Sequence, residues 1–212
     1  MFTGIVTDIG TVTRVESPGD TRVVVSTAYD TATVDLGASI SCSGVCLTVV
    51  DKGTDAQGGW FAVDVSGETI SRTAKDQWTE GRKFNLERAM KLGDELGGHI
   101  VTGHVDGLGT VVAVSEEGGS HRVTIRAGAD IAPFIAPKGS VTVDGVSLTV
   151  NSVQDIDGPD GQREVEFGLN IIPHTWAVTT LGTIHVEQSV NIEIDVLARY
   201  LQRMEHYRAS AR

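Results

Sequence analysis

The chain has 212 residues, with 28 acidic against 17 basic side chains and a formal net charge of −11. That balance excludes a nucleic-acid or anionic-membrane surface, since both need clustered Lys and Arg. Two cysteines without CxxC spacing exclude a disulfide framework and a structural zinc site, and no apolar run is long enough for a membrane span, so a cytoplasmic protein is expected.

The first residues, Met1–Val12, read MFTGIVTDIGTV, and Ile100–Val111 read IVTGHVDGLGTV, six identities in twelve positions. Ala38–Val50 (ASISCSGVCLTVV) answers Gly139–Asn151 (GSVTVDGVSLTVN) with six in thirteen. Glu68-Thr69 answers His174-Thr175, and Asn85-Leu86-Glu87 answers Asn191-Ile192-Glu193. A period this long is a domain duplication, not a solenoid. The boundaries read as 1–97 for the first copy, 98–194 for the second and 195–212 for an appended helix, each copy being long enough to bury its own core.

In chain order, strands are predicted at Val23–Val25, Ser39–Ser41, Cys46–Val50, Trp60–Val65, Val123–Ile125, Val141–Val143, Ser147–Val150 and Val165–Leu169, all rich in β-branched residues. Turn clusters at Ser17–Asp20, Ala56–Gly59 and Asp157–Gly161 separate them. Short helical pieces are expected at Ser71–Asp76, Ala129–Ile135 and Thr175–Thr180, and one longer helix at Val196–Tyr207. Many short strands in so small a domain favour a closed barrel with Greek-key connections. Along the last helix Val196, Leu197, Tyr200, Leu201 and Met204 form one apolar stripe, to be buried either on its own barrel or in assembly with other subunits.

Ser43-Gly44 and Asp144-Gly145 sit between alternating segments, the signature of a two-residue type I′ hairpin. That turn pairs Cys42 with Val45, Ser41 with Cys46 and Ser39 with Thr48. Ile40, Cys42, Val45, Leu47 and Val49 then share an apolar face, while Ser39, Ser41, Cys46 and Thr48 share the other. The second copy places Lys138, Ser140, Thr142, Ser147 and Thr149 on the equivalent polar face. Such a face is either solvated or covered; small hydroxyls and a thiol, in place of Lys and Glu, suit a covered one that a flat ligand approaches closely.

The copies differ at titratable positions: Ile5 against His104, Gly37 against Lys138, Ser43 against Asp144, Cys46 against Ser147, Glu68 against His174 and Ala89 against Asp195. Shared positions imply two molecules of one kind; the differences imply that they are treated differently. His104 is the natural proton shuttle and Cys46 a candidate nucleophile or donor. Asp144 reads equally well as a turn residue.

At these residues the chain resembles the riboflavin synthase family of the α-subunit type. MFTGIV, GVCLTV, Glu68-Thr69, GGHIVTGHVDG, DGVSLTV, Ile172-Pro173 and VNIEID stand in family order along the whole chain. The resemblance implies an all-β protein of two tandem six-stranded Greek-key barrels plus a C-terminal helix that assembles a homotrimer. It implies dismutation of two 6,7-dimethyl-8-ribityllumazine molecules without metal or organic cofactor, the reacting pair meeting between barrels of neighbouring subunits. Carried over, the first pocket would use Gly4, Ile5, Val6, Cys46, Leu47, Thr48, Asp64, Val65, Ser66, Gly67, Glu68 and Thr69, with Ser39 nearby. The second would use Gly103, His104, Val105, Lys138, Ser147, Leu148, Thr149, Ile171, Ile172, Pro173, His174, Thr175 and Trp176. His104, oriented by Thr149, is the candidate for proton transfer; Cys46 and Ser39 would assist addition at C7, and Asp144 and Asp195 would be supporting charges. The competing reading is a non-enzymatic lumazine or flavin carrier of the same fold, and association with lumazine synthase is left open. With its own hairpin, polar face and pocket, the first copy alone is expected to fold and bind ligand.

Overall fold

The computed structural model describes residues 1–16, 20–158 and 161–210; Ser17, Pro18, Gly19, Pro159 and Asp160, within two of the expected turns, lie outside the described residues. The first copy contains β1 (Asp8–Glu16), β2 (Thr21–Thr27), β3 (Ser39–Cys42), β4 (Val45–Asp55), β5 (Gly58–Val65), α1 (Gly67–Arg72) and β6 (Lys83–Arg88). The second contains β7 (Gly107–Glu117), β8 (Ser120–Ala127), β9 (Ser140–Val143), β10 (Val146–Asp157), β11 (Arg163–Ile171), α2 (Pro173–Val178) and β12 (Ser189–Ile194), and α3 (Val196–Ser210) follows. Both sheets close: β1-β2-β5-β4-β3-β6 in the first barrel and, in the same order, β7-β8-β11-β10-β9-β12 in the second.

Every predicted strand is present, and the hairpin registers are those the turns dictate: Ser39 opposite Thr48, Cys42 opposite Val45, Thr142 opposite Ser147. Ser43 and Gly44 have φ of 46° and 84°, Asp144 and Gly145 of 46° and 80°, as a type I′ turn demands. The polar residues at alternate strand positions turn outward, and two separate cores fill the barrels. Phe61, Phe84, Leu86 and Val63 are buried in the first, Phe167, Leu169, Ile125 and Ile192 in the second.

The structure adds four strands that the apolar pattern had not marked, β1, β6, β7 and β12. It also redraws the short helices. Ser66 accepts the Thr69 N–H and so starts α1 at Gly67 rather than at Ser71. Pro173 opens α2 two residues early. The expected helix at Ala129–Ile135 shrinks to one 3₁₀ turn, Ala132–Phe134.

The outward faces of β3, β6, β9 and β12 are polar yet buried, because the barrels cover one another. Ser41, Asn85, Glu87, Thr142, Asp144, Asn191 and Glu193 all fall below one-tenth exposure. The contact is reciprocal. Asn85 Nδ2 donates to the Asp144 carbonyl (2.9 Å) and its Oδ1 accepts the Thr180 N–H (2.7 Å). Asn191 Nδ2 donates to the Ser43 carbonyl (2.9 Å) and its Oδ1 accepts the Ala74 N–H (2.9 Å). Phe2 and Val101 exchange both backbone hydrogen bonds, at 2.8 and 3.1 Å. Where the two hairpin turns meet, a Cβ on Gly145 would lie 2.7 Å from the Gly44 nitrogen.

Helix α3 leaves the second barrel with Leu197, Tyr200, Leu201, Met204 and Tyr207 exposed, so the stripe is not buried on its own barrel. Its first turn is tied down by Asp195, whose carboxylate accepts the Leu197 N–H (3.0 Å), and by Arg199, whose Nη2 donates to both carboxylate oxygens of Asp106 at 2.9 Å.

The turn contact yields a stability prediction. Gly145→Ala is expected to lower the unfolding free energy by about 2–5 kcal/mol, adding overpacking to the left-handed backbone penalty. Gly37→Ala, at φ 84° with nothing within 4 Å, should lose only about 1–2 kcal/mol. Urea unfolding of the two variants checks the ordering.

Candidate functional site

Beyond the Phe2–Val101 bridge, each copy's N-terminal segment crosses to the other barrel. The Gly4 carbonyl accepts the Ser147 N–H and the Gly103 carbonyl accepts the Cys46 N–H, each at 2.8 Å. Both glycines have φ of 76°. A Cβ on Gly4 would stand 2.5 Å from Ser147 Cβ and one on Gly103 2.7 Å from Cys46 Cβ, so both backbone angle and space require glycine here. Beyond them, Val6 packs on the second core and Val105 on the first.

This exchange corrects the expected grouping. Gly103, His104 and Val105 do not serve the pocket of Ser147; they complete that of Cys46. A cavity of about 240 Å³ is lined by Val45, Cys46, Glu68, Thr69, Arg72 and Thr73 from the first copy and Gly103, His104 and Val105 from the second. Gly4 stands instead beside Ser147, and Ile5 lines a groove with Thr3, Thr7, Glu87 and Gly97. Spacing within a repeat is the same whichever barrel a segment serves, so the sequence holds no trace of the exchange. An isolated first copy therefore lacks one wall of its pocket.

The other expected residues divide by place. Leu47, Val65, Leu148 and Ile171 are core. Ser39 is half-buried opposite exposed Thr48, Thr149 is exposed, and Asp64 lies 3.9 Å from Arg22. Ser66 and Gly67 begin α1, whose Glu68 and Thr69 line the cavity. In the second copy Lys138 is exposed at φ 65°, where the first copy has Gly37. Ile172, Pro173 and His174 are exposed, Thr175 is half-buried, and Trp176 stacks on His121 with ring centroids 3.6 Å apart.

His104 makes no hydrogen bond to Thr149 among the described residues; its N–H goes to Glu193 at 3.1 Å. Asp144 is turned into the barrel interface, where its carboxylate accepts the Asn191 N–H (2.8 Å). The Ser43 hydroxyl does the same for Asn85 in the first copy (3.1 Å). Burial pushes the Asp144 carboxyl up to about 6.

Sequence reasoning missed four participants. Arg72 lines the cavity from the last turn of α1. His99 places Nδ1 2.7 Å from Ser147 Oγ and Nε2 3.3 Å from Thr142 Oγ1, and burial holds its pKa below the ordinary imidazole value. Glu87 and Glu193 grip the two exchanged segments. Their signal was visible as the repeated Asn-x-Glu in β6 and β12, identical polar residues at alternate strand positions.

The family profile described as the lumazine binding domain matches residues 3–89 and again 102–195. A riboflavin synthase of Brucella abortus (strain 2308) is 50% identical over 211 residues, covering 98% of this chain and 99% of that protein. The chain belongs to the riboflavin synthase family. A second riboflavin synthase, from Photobacterium phosphoreum, is 42% identical over 206 residues, covering 96% of this chain and 88% of the relative. Among solved structures, LumP complexed with 6,7-dimethyl-8-(1'-D-ribityl) lumazine superposes with a TM-score of 0.71 at 25% identity, over 92% of this chain and 99% of that one. Riboflavin synthases are transferases, and the family's domain is matched twice along this member.

Asp144 makes stability depend on pH. Its ordinary value is 3.8 and its folded value about 6. Between them the native state keeps a proton that the unfolded chain has released, so this group's contribution falls as pH rises through that window and is flat above it. Asp144→Asn keeps an oxygen for the Asn191 N–H without the charge. Its stability relative to wild type should rise between pH 4 and 6 and then level off, as read by urea unfolding across pH; a pH-independent difference would exclude Asp144 as the titrating group.

Proposed function

We propose that the protein dismutates 6,7-dimethyl-8-ribityllumazine. One molecule donates a four-carbon unit to another, giving riboflavin and 5-amino-6-(D-ribitylamino)uracil. The observation that carries this reading is the shared cavity, which His104 from one copy and Cys46 from the other line together.

The C7 methyl of the lumazine is unusually acidic, so the reaction needs a base, an acid and close stacking more than a strong nucleophile. His104 moves the proton to and from the methyl carbon. Cys46, with Ser39 near it on the same hairpin face, assists addition at C7 of the partner molecule. Holding two ring systems face to face supplies acceleration as effective concentration. The reacting pair meets between subunits, one molecule held beside Cys46 and the other beside Ser147 of a neighbour, and the exposed stripe of α3 assembles the subunits as a homotrimer. A carrier that only holds lumazine or flavin would need the cavity but not the His104–Cys46 pair.

Anaerobic incubation with lumazine alone should yield riboflavin absorbance without added metal or nucleotide; activity lost to chelation and restored by a divalent ion would sink the cofactor-free reading. His104→Gln should leave ligand binding, followed by fluorescence, near wild type while cutting turnover ~10²–10⁴-fold. Deleting residues 196–212 should give monomers in the ultracentrifuge and abolish turnover, and a truncated protein that stays trimeric would remove α3 from the assembly.

A further inference from the structure

The segment that carries His104 is held by one carboxylate. Glu193, on β12 and 2% exposed, takes the Thr102 N–H and the Thr102 hydroxyl on Oε1, each at 2.6 Å. Its Oε2 takes the N–H groups of Gly103 (2.9 Å) and His104 (3.1 Å). Four donors match the lone pairs of an ionised carboxylate. From the opposite side the Cys46 N–H holds the Gly103 carbonyl at 2.8 Å. The backbone leading into His104 is thus clamped between a carboxylate of its own barrel and the hairpin of the other.

The first copy supplies a contrast. Glu87 takes the Thr3 N–H and hydroxyl, both at 2.7 Å, and the Gly4 N–H at 2.9 Å. The next N–H, that of Ile5, goes instead to the Thr3 hydroxyl oxygen at 3.2 Å. The fourth bond to the carboxylate is made where a histidine follows the glycine and not where an isoleucine does.

We propose that Glu193 is the positioning residue for His104, fixing the backbone from which the imidazole reaches the cavity beside Cys46. The inference rests on the proton-transfer role given to His104 above. The carboxylate touches no substrate; it acts by holding the imidazole in its productive place, where a displacement of an ångström is enough to slow the reaction.

The test is a double-mutant cycle on the full-length protein, reading kcat, KM for lumazine, riboflavin affinity and the thermal midpoint. In Glu193→Gln one oxygen becomes an NH₂ that faces a backbone N–H whichever way it turns; both bonds fail on the Gly103–His104 side, and on the Thr102 side the N–H bond fails while the hydroxyl can reverse. Thr102→Val removes only the hydroxyl bond, and it decides the matter on the same terms if Glu193→Gln does not fold. Expected are kcat losses of about 10–100-fold for Glu193→Gln and a few-fold for Thr102→Val, with KM and riboflavin affinity within about twofold. In a His104→Gln background both losses should vanish, because a residue that acts through His104 has nothing left to position. If Glu193→Gln lowers kcat by the same factor in that background, or if both single variants turn over at the wild-type rate while His104→Gln does not, the inference is overturned. Full turnover by His104→Gln itself would overturn the underlying reading of His104 instead.

Discussion

Everything in this molecule depends on a polar surface that is not allowed to meet water. The outward residues of β3, β6, β9 and β12 would be cheap to expose, but here they are buried against their own repeat, where an unpaired amide costs about 1–3 kcal/mol. Reciprocity removes that cost. Each of Asn85 and Asn191 donates to a turn carbonyl of the other copy and accepts an N–H from the loop after its short helix. Such bonds are directional, so they set one relative orientation of the barrels where an apolar contact would tolerate several. The crossing of the N-terminal segments, and hence the shared cavity, follows from that orientation.

The hairpin was legible because two independent signals agree on it. A turn dipeptide fixed at positive φ sets the register, and alternation across a barrel wall sets the facing. The strands that escaped notice broke one of these rules for a local reason. In β1 and β7 a glycine interrupts the pattern, since a Cβ at Gly10 would stand 2.6 Å from Leu86 Cδ1 and one at Gly109 2.5 Å from Ile125 Cγ2. In β6 and β12 Asn and Glu alternate with the core residues and look like a solvated edge, although they are as buried as the residues between them. The site was legible residue by residue and misassembled as a whole. Cys46, Thr69 and His104 could be named from the repeat, but which copy supplies which wall is a fact of tertiary structure alone.

Duplication also shows which positions are scaffold. Gly4 and Gly103, Gly44 and Gly145, Asn85 and Asn191, and Glu87 and Glu193 remain identical, and each holds the copies together or grips an exchanged segment. Ser43 and Asp144 differ in charge but cap the same backbone N–H from the same place in the turn, so this difference is structural before it is chemical. Lys138 departs differently. It occupies a left-handed position, where its counterpart is glycine, at a strain of roughly 1–3 kcal/mol. The second copy carries an exposed cation there that the first does not.

Two molecules of one compound can take opposite parts in a reaction only if their sites are unequal. A plain duplication makes equal ones. Because the cavity beside Cys46 draws walls from both copies, a change in the second copy is felt in the pocket of the first, and divergence is sorted by space rather than by sequence. The cavity that holds Cys46 receives His104 from the second copy along with its own Glu68 and Arg72. The exchanged segment beside Ser147 has Ile5 where the other has His104, and the imidazole within reach of that serine is His99, bonded to it at 2.7 Å with its pKa lowered by burial. Titratable side chains are thereby distributed unequally over a nearly symmetric frame, while the bonds that maintain the frame are kept in duplicate.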